Sequence, residues 1–305
     1  MINAVFGGGL GNQMFLYAYI YSQMQEHNLE KNIYAVMHRN ENEDKRDFAL
    51  NSLSCSIKMN IVDEKDAKFA LKCKKYIRKQ LFRFLRKINL EDKKIIQIFN
   101  KLNICFSPTT FSYYANLKLK NNEYVEGAFQ TWKYFKKYRE DLINEFKVSI
   151  EVDKKNQEIL KNIQTDNSVC VHIRRGDYTN SHYAKVLQIC NYNYYKRGMD
   201  YIASKIENPT FYIFSNSHED HEWIKKNYKF NYNVINVDLN NPDYEELRLM
   251  YSCKHFIISN STFSWWAQFL STSENKEIVA PSKWYLDDKV ETEDIYMADW
   301  HIVEV

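Results

Sequence analysis

The amino-acid sequence predicts an α/β fold built on parallel sheet, and two patterns carry that expectation. From about residue 150, apolar runs at 168–173, 210–214, 233–237, 255–258 and 277–279 read as strands. Helical patterns at 193–205, 220–226, 244–252 and 264–270 separate them, and such alternation is the signature of βαβ units. The chain also opens on a strand, Ala4-Val5-Phe6, a loop, Gly7-Gly8-Gly9-Leu10-Gly11, and an apolar helical stretch from Met14 to Met24.

A length of 305 residues suits two domains, and the change of rhythm places them at 1–150 and 151–305. A hydrophobic share of 45% with 27% charged residues supports packed cores and argues against disorder. The net charge of +3 is too mild for a nucleic-acid partner, which wants a concentrated basic face. Six cysteines with no C-x-x-C pair signal neither zinc nor a redox motif, so buried thiols are expected. The opening MINAVFGGG lacks the pattern of a secretory signal, and no run approaches a membrane span, so the expected compartment is the cytoplasm.

Only seven glycines occur in the chain and four fall within positions 7–11, so the backbone there must turn tightly or approach something closely. Residues 68–94 predict a basic amphipathic helix. Ile77, Leu81, Phe84, Leu85 and Ile88 recur at helical spacing, with Lys75, Lys79, Arg83 and Arg86 elsewhere on the turn. This segment holds eleven Lys or Arg against Glu91 and Asp92; the bland reading is a solvated face, the functional one peripheral contact with an inner membrane. The stretch 123–146, with GAFQTWKYF, closes the first domain.

Three strand ends in the second half carry polar residues: HIRRGD at 172–177, Ser215-Asn216-Ser217, and Ser259-Asn260-Ser261-Thr262. In a parallel sheet such ends gather along one edge, where ligands bind. The last precedes FSWWAQFL, a helix whose N-terminus would offer N–H groups to phosphate oxygens. With Arg174 and Arg175 it would clamp a diphosphate, although N-capping alone would account for Ser261 and Thr262. The glycine loop has no G-K-[ST] ending and does not spell G-x-G-x-x-G, and no Asp-x-Asp pair is present to hold a divalent ion. Metal-independent binding of a nucleotide sugar fits these absences.

Together, GGGLGNQMFLYAY, HIRRGDY and SNSTFSWWAQFL resemble the bacterial α-1,2-fucosyltransferases of glycosyltransferase family 11, in the same order and over nearly the whole chain. The resemblance implies a GT-B-like architecture, two Rossmann-like domains facing a cleft, with GDP-fucose held mainly by the C-terminal domain. It implies inverting transfer to the 2-hydroxyl of a galactose-terminated oligosaccharide or lipid-linked glycan, with neither metal nor other cofactor. Arg174 and Arg175 then fall on the pyrophosphate, Ser261, Thr262 and Phe263 beside it, and His172 and Asp177 shape the loop. Gly8, Gly9, Asn12 and Gln13 would close over the site from the first domain. Asn216 stands where related fucosyltransferases carry an acidic guanine-reading residue. Asp177 is the acidic group nearest the clamp, but an aspartate beside two arginines more often serves as their ion-pair partner than as a base.

Other readings attach to the same residues. Arg175-Gly176-Asp177 spells an adhesion tripeptide, so a binding or adhesion protein without turnover is the alternative; it would require a secreted chain and an exposed loop tip. HEDHE at 218–222 offers two histidines with carboxylates but lacks H-E-x-x-H spacing. Trp265 and Trp266, and Tyr192, Tyr194 and Tyr195, read as helix packing rather than as sugar or base platforms.

Overall fold

A computed structural model describes residues 1–38, 47–176, 186–187 and 189–305, and Asp177 lies outside them. The chain forms two compact units, one of Met1–Phe146 with Glu293–Ile295, the other of Lys147–Thr292 with Tyr296–Val305. In the first, β1 (Ile2–Phe6), α1 (Leu10–His27), β2 (Asn32–Met37) and β3 (Lys58–Asp63) precede α2 (Phe69–Lys87), α3 (Asp92–Lys101), β4 (Ile104–Phe106), β5 (Tyr124–Glu126) and α4 (Arg139–Glu145). In the second, α5 (Lys154–Thr165), β6 (Ser168–His172), α6 (Tyr192–Lys205), β7 (Thr210–Phe214), α7 (His218–Asn227) and β8 (Asn233–Asn236) lead to α8 (Asp243–Tyr251), β9 (His255–Ile257), α9 (Thr262–Leu270), β10 (Ile278–Pro281) and β11 (His301–Val303).

Both sheets are parallel, ordered β3-β2-β1-β5-β4 and β11-β10-β9-β6-β7-β8. Two Rossmann-like units in one chain are the components of the expected GT-B-like fold. Each unit places its first strand, β1 or β6, where the winding direction of the sheet reverses. Loops leaving the strands there diverge and open a crevice at the carboxyl edge.

The strands of the second unit read as continuous apolar runs because both sheet faces are covered. Val169, Val171 and Ile173 pack with Tyr194, Tyr195, Met199 and Ile202 of α6. Gly198 lets α6 lie this close, since a Cβ there would come within 3.0 Å of Ile257 Cγ2. Trp265 and Trp266 are fully buried, as the packing reading expected. Tyr194 and Tyr195 are core residues too, and their hydroxyls also donate to the carbonyls of Ile258 (2.5 Å) and His172 (3.2 Å), bracing the ends of β9 and β6.

The basic segment departs from its sequence reading. It breaks into α2 and α3 around Asn89, whose φ of 52° is left-handed, a conformation that asparagine tolerates. Nor does α2 bury the expected stripe. Leu71 and Leu85 are buried, while Ile77, Phe84 and Ile88 are exposed. Lys75 turns inward to Glu64, and Arg86 pairs with Asp92 at 2.6 Å, so these two cations already have partners within the fold.

Candidate active site

At the carboxyl edge of the second sheet, β6 and β9 lie side by side and their following loops are tied together. His172 is buried at the end of β6, and its Nδ1 lies 3.0 Å from the Ser259 hydroxyl beyond β9. Burial, with Arg174 nearby, pushes the His172 imidazole down to about 3, so it is neutral at ordinary pH and acts as a strut. The loop is also pinned to β7: Ile173 N–H donates to the Phe214 carbonyl at 2.9 Å, and Ser215 Oγ donates to the Ile173 carbonyl at 2.8 Å.

Arg174 and Arg175 leave this braced strand half-buried. The Arg175 guanidinium carbon lies 3.4 Å from the ring centroid of Trp223, and its Nε lies 3.3 Å from Asp220 Oδ1. The other Asp220 oxygen accepts from Gly176 N–H at 2.9 Å, so one carboxylate holds both the side chain and the loop backbone. Gly176 has a φ of 26°, and a Cβ there would meet Asn216 Cγ at 2.9 Å. HEDHE therefore contributes the carboxylate that orients Arg175, through its middle residue. Sequence reading missed this because Asp220 and Arg175 are 45 positions apart. Arg175 and Gly176 of the adhesion tripeptide are thus held within the unit, while its third residue, Asp177, lies outside the described residues.

On the β9 side, Ser261 caps α9, its hydroxyl accepting from Phe263 N–H at 3.3 Å, so the capping reading holds for Ser261. Thr262 and Phe263 begin the helix half-buried, and the Phe263 ring lies 6.0 Å from that of His172. The edge thus combines two arginines with a helix N-terminus, a combination suited to a diphosphate. Asn216 is exposed at the end of β7.

The first unit repeats the arrangement with other chemistry. Gly8 has a φ of 70°, and a Cβ there would come within 2.3 Å of Asn12 Nδ2. Gly9 is the extended N-cap of α1. Asn12 Oδ1 accepts from Gln130 Nε2 at 3.1 Å, linking the glycine loop to the loop after β5. Gln13 is buried with both ends of its amide engaged: Nε2 donates to the carbonyls of Gly8 and Asp47, and Oε1 accepts from Ala49 N–H. It therefore shapes the loop from beneath.

Beside the glycine loop, His38 N–H donates to the Phe6 carbonyl at 2.8 Å. The His38 Nδ1 lies 2.5 Å from Glu64 Oε2 and 3.0 Å from Lys75 Nζ, and Lys75 also pairs with Glu64. Burial would raise the Glu64 carboxyl, but Lys75 and His38 together hold it below the usual carboxylate range. Nothing in the sequence marks this trio, because its members come from the residue after β2, the turn after β3, and α2.

Among the described residues, His218, Glu222 and Asp238 could bring one ligand atom each within 4.8 Å of one another. His218 Nδ1 lies 2.7 Å from Asp238 Oδ2, and Glu222 pairs with Lys225.

A model of glycosyl transferase family 11 matches residues 1–304, and the chain belongs to that family. An alpha-1,2-colitosyltransferase of Escherichia coli is 30% identical over 313 residues, covering 100% of this chain and 99% of its own length. The O-antigen biosynthesis glycosyltransferase WbnK of Escherichia coli is 29% identical, over 91% of this chain and 93% of its own. A galactoside alpha-(1,2)-fucosyltransferase 2 of Gorilla gorilla gorilla is 25% identical over 161 residues, 49% of this chain and 46% of its own.

Proposed function

We propose that this family 11 glycosyltransferase moves L-fucose from GDP-fucose to the 2-hydroxyl of a galactoside during synthesis of a surface glycan, with inversion and without a metal ion. The observation that carries the reading is the meeting of Arg174 and Arg175 with the N-terminus of α9 at the point where the sheet reverses. The α-1,2 linkage is named in two similar proteins, and O-antigen synthesis in a third.

In the reaction the acceptor oxygen bonds to the anomeric carbon as the bond from that carbon to the diphosphate breaks, and the electron pair leaves with GDP. Negative charge grows on the diphosphate, so arginines held beside it stabilise the transition state more than the ground state. Thr262 and Phe263 would flank the diphosphate, and Asn216 would face the nucleoside. The 1–150 region would receive the acceptor at its glycine edge, with Gly8, Gly9 and Asn12 beside it. We assign the acceptor proton to His38: Glu64 Oε2 and Lys75 Nζ both lie against its Nδ1, and in the tautomer that donates Nδ1–H to Glu64 it is Nε2 that accepts.

A second reading is colitosyl transfer, favoured by the match to the colitosyltransferase over the full chain. Colitose lacks the 3-hydroxyl of fucose, and a site built to hydrogen-bond that hydroxyl rejects the deoxy sugar by on the order of 10⁴. GDP-fucose and GDP-colitose should each be incubated with a panel of galactosides in EDTA, and the product linkage determined. Fucose on the 2-hydroxyl is the expected result. Preference for GDP-colitose would establish the second reading, and failure of every galactoside would overturn the acceptor. Loss of transfer in EDTA, restored by one divalent ion, would overturn metal independence and direct attention to His218, Glu222 and Asp238.

A further inference from the structure

α2 carries two apolar faces, and the fold buries only one. Toward the core lie Leu71 and Leu85, with Arg78 stacked over Phe106 and paired with Glu126. On the other side Phe69 is 81% exposed, Tyr76 65%, Ile77 47% and Phe84 59%, and Ile88, just past the helix end, 52%. At about 100° per residue, positions 69, 76, 84 and 88 fall within an arc of about 120°, so they share one face. Five of the eleven large hydrophobic side chains exposed among the described residues lie here, so the exposure is concentrated rather than scattered.

Lys72, Lys79 and Arg83 are exposed along one border of the stripe, Lys87 is exposed at its end, and α2 contains no acidic residue. We propose that this face of α2 lies on an anionic lipid surface, with its aromatic and aliphatic side chains at the acyl boundary and the flanking cations among the headgroups. Charge selects this occupant. A second copy of the chain would bring one basic border against another across a two-fold axis, whereas anionic headgroups complement it. No described helix is long and apolar enough to cross a membrane, and the contact needs none. It also does not depend on which sugar is transferred.

Cosedimentation with vesicles of phosphatidylcholine alone, and of phosphatidylcholine with equal phosphatidylglycerol, tests the proposal at low and high salt. Three proteins are needed: the parent, Lys79→Glu/Arg83→Glu, and Tyr76→Ser/Phe84→Ser. These positions are exposed and lie outside the proposed catalytic groups, so folding and transfer to a soluble acceptor should be unchanged. The parent should bind the anionic vesicles and be released by salt, and each variant should bind at least tenfold more weakly. No binding by the parent, or equal partitioning of all three into both vesicle types, would overturn the proposal. Light scattering that shows a dimer lost in the aromatic variant, with no vesicle binding, would assign the face to a second copy instead.

Discussion

The two sheets place their first strands at equivalent points, yet their edges are made for opposite work. At the end of β1 the cations are neutralised within the unit, Lys75 by Glu64 and Arg78 by Glu126, and a half-exposed imidazole stands beside a glycine turn. At the end of β6 two arginines stand together and Asp220 pairs with Arg175 through one long contact at 3.3 Å. Beside them are the helix N-terminus of α9 and a neutral His172. One topology therefore provides a tight glycine turn with a half-exposed imidazole in one unit, and concentrated positive charge in the other. The difference teaches that the position of a site in these units follows from topology, while its chemistry follows from the few residues after the first strand.

The largest effects should come from removing the charged edge and the proton acceptor. Arg174→Ala should lower kcat on the order of 10²–10³, as loss of one donor to a developing anion does. His38→Gln should lower kcat by about 10²–10⁴ with little change in the KM for donor. Steady-state kinetics with both substrates varied would check the pair. Near-normal kcat/KM in Arg174→Ala would break the contrast between the edges.

A smaller effect separates orientation from charge. Asp220→Asn keeps an acceptor for Gly176 N–H but removes the ion pair to Arg175, so kcat should fall by about tenfold, the worth of one partly exposed charged hydrogen bond. Arg175→Lys should not restore activity in Asp220→Asn, because lysine lacks the planar group that stacks on Trp223. Gly8→Ala should destabilise the first unit by about 1–2 kcal/mol, the cost of a left-handed alanine, measured by urea denaturation.

A separate readout is stability against pH, where two buried groups act oppositely. The folded His172 refuses a proton until about 3 while the unfolded chain accepts one near 6.5, so its contribution is lost as pH falls through that window. Burial, with Asp243 and Asp238, pushes Glu246 up to about 8 from 4.5, so its contribution is present below 4.5 and lost as pH rises through 8. Urea midpoints should show the rise from about pH 3 flattened in His172→Gln and the fall toward about pH 8 flattened in Glu246→Gln.

Much of the second unit was legible because its strands are buried on both faces and its helices have one apolar side, so periodicity reported them directly. The expected strand at 210–214 coincides with Thr210–Phe214, and the expected helices differ from the observed ones by two residues or fewer at each end. The first unit was less legible. β2 and β3 lie in a mixed polar stretch, and β4 and β5 are only three residues each, too short for any period to show.

The sequence by itself determined the α/β class, the family and the three loops that carry chemistry, because local periodicity and ordered motifs are properties of consecutive residues. Only the tertiary structure decided which groups act together. It set Asp220 and Trp223 against Arg175, Glu64 and Lys75 against His38, and Gln130 against Asn12. It also turned Lys75 inward and left Phe84 exposed on a helix whose pattern suits either face to burial. Such pairings join residues up to 118 positions apart, and a hydrogen bond or ion pair depends on distance in space, which spacing along the chain does not encode.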